Sequence, residues 1–115
     1  MLRCLLAVIA LVGWALPALP HHGWSEYDST QTLALTGKIV ESGYEHPHGH
    51  IKLQTPTKMW HAVLAPPTRM ENRGLPKDAL KAGNTATVVG YPNRNKPDEM
   101  RAERITVDGK TVELR

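Results

Sequence analysis

Met59-Trp60-His61-Ala62-Val63-Leu64-Ala65-Pro66-Pro67-Thr68-Arg69-Met70-Glu71-Asn72-Arg73-Gly74 is the stretch on which the fold turns. Its first six residues are mostly apolar, include β-branched and aromatic side chains, and read as a strand. Ala65-Pro66-Pro67 breaks that pattern. Residues 68–73 then read as a short helix, with Thr68 as its cap and Gly74 as its stop. One segment thus carries a strand into a helix through a proline pair.

Working upstream, His50-Ile51-Lys52-Leu53-Gln54 alternates, with Ile51 and Leu53 inward and His50 and Lys52 outward. Residues 55–58, with Pro56, form a turn, so residues 50–54 and 59–64 make a hairpin. Before it, residues 32–41 form a first strand with Leu33, Leu35 and Ile39 on one face and a bulge or bend at Gly37. Ser42-Gly43 ends that strand.

Downstream, residues 75–80 suit one more helical turn, and residues 85–91 form a β-branched strand. The polar loop 92–98 leads to a strand over 100–107. Asp108-Gly109 is a two-residue hairpin signal, and residues 110–114 pair back. Three strands, a helical connection and two or three further strands predict an all-β, OB-fold-like Greek-key barrel of five to six strands. An open antiparallel sheet with one helix packed on it is the competing arrangement.

The 115 residues hold one domain preceded by an export signal. Arg3 supplies a charged start, residues 4–16 an apolar run shorter than the ~20 residues of a membrane span, and Ala15-Leu16-Pro17-Ala18 a small-residue exit. We expect residues 1–18 to be a cleaved signal peptide, 19–30 an extended arm and 31–115 the barrel, in a periplasmic or secreted protein without a stable membrane span. The single cysteine, Cys4, leaves with the signal. Disulfides, thiolate metal sites and cysteine nucleophiles are thereby removed together. The 14 Lys and Arg, Arg3 among them, barely exceed the 11 Asp and Glu, so the surface is weakly basic and not that of a nucleic-acid binder.

Several elements stand out as a set: His21-His22-Gly23-Trp24-Ser25, Glu45-His46-Pro47-His48-Gly49-His50-Ile51, Leu64-Ala65-Pro66-Pro67 with Arg69-Met70, and Gly90-Tyr91-Pro92 leading to residues 100–105. Together they make the chain similar to an uncharacterised family of small exported bacterial proteins, a domain of unknown function. The resemblance covers nearly all of the chain after the signal. It implies a compartment and little chemistry. The family pattern has Asn before the Pro-His pair, where this chain has His46, so a role for His48 carries over more directly than one for His46.

All six histidines fall after residue 18. Neutral imidazole is a common ligand for copper, zinc and nickel, and no thiolate competes with it here. In an extended segment His48 and His50 face the same way, so the candidate metal residues are His21, His22, His46, His48 and His50. Copper is the first candidate ion and zinc or nickel the alternatives. Met59, Met70 and Met100 are potential soft donors, and Glu26, Asp28 and Glu45 potential partners that orient the imidazoles. Cleavage after Ala18 would place His21 third, yet Pro20 has no amide N–H to give up, so amino-terminal copper chelation fails. The plainer account of these histidines is a His-rich surface, and His61 reads as an ordinary strand residue.

Arg94 and Lys96 in the 92–98 loop, with Trp24, are candidate contacts for an anionic ligand or a protein partner. No GxSxG, HExxH or phosphate-loop motif is present, and no catalytic residues are assigned. The sequence therefore predicts a binding module for a transition metal, or else a metal-free partner-binding barrel. Oligomeric state is not legible in it.

Overall fold

Alternation sets the sheet. The computed structural model describes residues 23–115, so the expected signal peptide and the first residues of the expected arm, with His21 and His22, lie outside the described residues. The strands are β1 (Leu33–Gly43), β2 (His50–Gln54), β3 (Met59–Val63), β4 (Thr85–Pro92), β5 (Glu99–Val107) and β6 (Lys110–Glu113). A short helix, α1 (Pro67–Asn72), and a 3-10 turn (Lys77–Leu80) join β3 to β4.

β1 pairs antiparallel with β2 on one side and β4 on the other, β2 pairs with β3, and β4 with β5. A parallel pairing of β3 with β5 closes the ring. The result is a five-stranded barrel of OB-fold-like topology with β6 added to β5. β5 is long enough to serve both: Arg101 and the two residues before it lie beside β3, and Arg104 to Val107 pair with β6.

β1 bridges β4 and β2 because it changes partner midway. Lys38 is opposite both Gln54 of β2 and Thr85 of β4. The register at Gly37 is regular, and the extra residue is Val40, between Ile39 and Glu41. Gly37 serves a close approach instead. A Cβ there would run into the carbonyl of Gln54, so its hydrogen lets β2 come in close.

Ile39, Ile51, Leu53, Ala62, Val88, Met100 and Ile105 fill the interior, and Met70, Leu75 and Leu80 from the helical connection close one end. Met70 and Met100 are fully buried among these residues, which removes them as soft metal donors. Burying a side chain of this size contributes about 1.5–3 kcal/mol, which is how a domain without disulfides holds together.

α1 begins at Pro67, one residue earlier than the sequence suggests. Proline's fixed φ suits the first helical position, where its missing N–H costs nothing. Thr68 therefore falls inside the helix and does not cap it. Gly74, at φ +87°, ends the turn in a conformation that glycine adopts without strain. Asp108-Gly109, both at positive φ, make the β5–β6 hairpin.

Candidate functional site

β2 and β3 point alternate residues outward, and their register decides which side chains meet. His50 is opposite Val63 and Lys52 is opposite His61, so His50 and His61 are diagonal neighbours on the outer face. Their rings meet edge-on, with centroids 5.3 Å apart at 67°. Across the parallel pairing, Glu99 of β5 lies beside His61. Three adjacent strands thus carry His50, His61 and Glu99 in one row.

These residues line a cavity of about 190 Å³. Pro47 and His48 border it from the β1–β2 loop, Lys96 from the β4–β5 loop, and Tyr27 from the segment preceding β1. Gly43, opposite His50 on β1, leaves room for the imidazole, because a Cβ there would fall on the ring.

Glu99 is held from two sides. The Tyr27 hydroxyl donates to Oε2 at 2.8 Å, and the Asn93 amide donates to the same oxygen at 2.9 Å. The Lys96 ammonium stands 3.9 Å from Oε1. Burial pushes the Tyr27 phenol well above its ordinary range, and the hydrogen bond to Glu99 and that carboxylate's charge act in the same direction. Tyr27 therefore remains a donor.

Burial also pushes His61 below the usual imidazole value. The charge of Glu99 opposes this, while His50, Lys52 and Lys96 add to it. The result favours the neutral ring, which keeps a lone pair for a ligand. Lys52 shares the outward face and pairs with Glu41 on β1, 3.5 Å away.

The residues singled out in the sequence divide. His50 and His48 both border the cavity, but His48 Nε2 lies 3.3 Å from an Arg101 guanidinium nitrogen. Guanidinium only donates, so that imidazole nitrogen is the acceptor. Arg101, 7 % exposed, stacks on the Trp24 ring at 4.3 Å, and Arg115 approaches the same ring at 4.5 Å. Trp24 is thus a platform for two cations. His46 is exposed and outside the cavity lining. Arg94 donates through its backbone to Glu26 and through Nε to Ser25, fastening the 3-10 turn (Trp24–Glu26) to the β4–β5 loop. Lys96 remains at the cavity mouth.

Sequence reasoning missed Tyr27 and Glu99 and set His61 aside. A hairpin turning over residues 55–58 already places 54 opposite 59, and hence His50 diagonal to His61. Glu99 left no such local signal. As placed, no three His, Cys, Asp or Glu side chains among the described residues are drawn together closely enough to clasp an ion. Two imidazoles with a carboxylate alongside are what the site offers. No helix among the described residues is long and apolar enough to cross a membrane.

The chain belongs to the family of unknown function DUF6152, whose model matches residues 8–101. No curated protein matches it. Among solved structures, the crystal structure of TiaS in complex with a transfer RNA and ATP is similar at 21 % identity and a TM-score of 0.52, over 77 % of this chain and 20 % of that one. The ZRD-deleted mutant of TiaS in complex with agmatine is similar at 20 % identity and a TM-score of 0.52, over 76 % of this chain and 25 % of that one. The chain therefore spans a quarter or less of these two proteins, and the likeness is one of fold.

Proposed function

We propose that this member of the family is an exported binding module that takes a transition-metal ion, copper first and zinc or nickel as alternatives, at the His50–His61 pair. The observation that carries the reading is the spacing of the two rings. Two imidazoles bound to one tetrahedral ion through nitrogens about 2 Å away would place their centroids about 5 Å apart, and these lie at 5.3 Å. Their position adds support, since barrels of this topology take ligands on the β2–β3 face between the β1–β2 and β4–β5 loops. Export rests on the sequence of residues 1–18 alone. His48, once released from Arg101, and His46, His21 and His22 are the further imidazoles within the same reading.

The test is titration of untagged protein with Cu(II), Zn(II) and Ni(II). We expect about one ion per chain, with His50→Ala and His61→Ala each weakening binding about tenfold or more. His46→Ala should have a smaller effect. If both His50→Ala and His61→Ala leave affinity unchanged, the pair is not the site.

A second reading is favoured by Lys96, which is 63 % exposed at the cavity mouth. Here the barrel is a metal-free module whose protein partner contacts Lys96. Arg94 would take no direct part, being engaged with the 3-10 turn. Partner capture that is lost in Lys96→Ala and indifferent to chelator would favour this reading over the first.

A further inference from the structure

We infer that Glu99 becomes the third donor of this site when an ion seated on the His50–His61 pair draws its carboxylate in, the three side chains not being close enough to clasp an ion as placed, that it thereby selects a divalent ion over Cu(I), and that the Lys96 ammonium holds its place until the ion arrives. The inference rests on the metal reading above and names the ion class.

The parallel register sets Glu99 directly beside His61, on the strand next to it and on the same outer face. Its Oε2 is occupied by the Tyr27 and Asn93 donors, which fix the carboxylate plane. Oε1 is left to face a cation, and at present that cation is Lys96 at 3.9 Å. The contact is long and its lysine side chain is 63 % exposed, although the Glu99 side chain is only 12 % exposed, so the ammonium can swing out to solvent when a metal enters.

The preference for charge follows from donor chemistry. Two neutral imidazoles place no negative charge on the metal, and one carboxylate oxygen supplies it. Oxygen and imidazole donors suit Cu(II) and Zn(II), whereas Cu(I) is selected by thioether and thiolate. Among the described residues the soft donors are elsewhere: Met70 and Met100 are sealed in the core, and Met59 does not line the cavity. Lys96, as an internal competitor, lowers affinity for any cation that approaches Oε1, and the effect is screened by salt.

The experiment compares Cu(II), Zn(II) and, anaerobically, Cu(I) affinities in the wild type, Glu99→Gln and Lys96→Ala. We expect Glu99→Gln to lower Cu(II) and Zn(II) affinity about tenfold or more while leaving Cu(I) affinity unchanged. Glutamine retains an oxygen for Tyr27 and Asn93, and unaltered circular dichroism and melting will establish that the fold is kept. Lys96→Ala should raise divalent-ion affinity severalfold at low salt, a gain that disappears at high salt, and this arm does not alter the carboxylate. Equal losses for all three ions in Glu99→Gln, or none, overturn the inference, as does tighter binding of Cu(I) than Cu(II) by the wild type. If the wild type binds and responds to His50→Ala and His61→Ala but not to Glu99→Gln, the histidine pair stands and only the role of Glu99 falls. If the wild type binds no ion, both fall together.

Discussion

Tyr27 shows how one residue joins the segment before β1 to the site. It is buried, bridges to Asn93 through its backbone, and gives its hydroxyl to Glu99. Its raised value has a consequence for stability. Above about pH 10 the phenol ionises in the unfolded chain, while the folded chain keeps its proton, so the unfolded state gains and stability falls as pH rises. Urea unfolding between about pH 8 and 11 should show that decline in the wild type and a flatter profile in Tyr27→Phe. An identical slope in both would mean that the phenol does not titrate in this way. Nothing in the sequence singles out Tyr27, because its partner lies 72 residues away on β5. His50 is different: its outward direction follows from Ile51 and Leu53 pointing in, and that much is legible. The meeting of His48 with Arg101 is not, because it depends on how the β1–β2 loop lies across the barrel.

At the scale of elements, local periodicity carries well and non-local pairing does not. The β2–β3 hairpin and the Asp108-Gly109 hairpin fall where alternation and turn residues put them. The bulge lies at Val40 and not at Gly37, because a glycine in a strand marks either an inserted residue or a close backbone approach, and sequence does not distinguish the two. The short helix has a role that its sequence hides. Arg69 donates to the carbonyl of Leu114, and Arg73 to those of Glu113 and Arg115, while Lys110 returns a bond to Gly74. α1 and the turn after it are thereby clamped to the last strand, and carbonyls at the end of β6 are covered. Hydrogen bonds from charged donors at exposed positions contribute about 1 kcal/mol each. Arg69→Ala with Arg73→Ala removes three such bonds and should therefore lower stability by about 3 kcal/mol in urea denaturation. The double variant should leave the histidine cavity, formed by other elements, unaffected. No change in the urea midpoint would mean that water replaces these bonds without loss.

For the molecule as a whole, the barrel is legible in the order of its parts, since three strands, a helix and further strands close in few ways. What completes it, the parallel pairing of β3 with β5, joins residues about 40 positions apart in the chain and leaves no periodic trace. That same pairing brings Glu99 to His61, so the non-local contact that closes the barrel also assembles the candidate site. A ligand held there touches β2, β3 and β5 at once and would stabilise the closure it depends on. The most direct test of the central claim is electron paramagnetic resonance of the protein with one equivalent of Cu(II). Two imidazole nitrogens should couple to the copper in the wild type, and only one in either His50→Ala or His61→Ala. A spectrum unchanged by both substitutions would place the copper elsewhere and contradict the account.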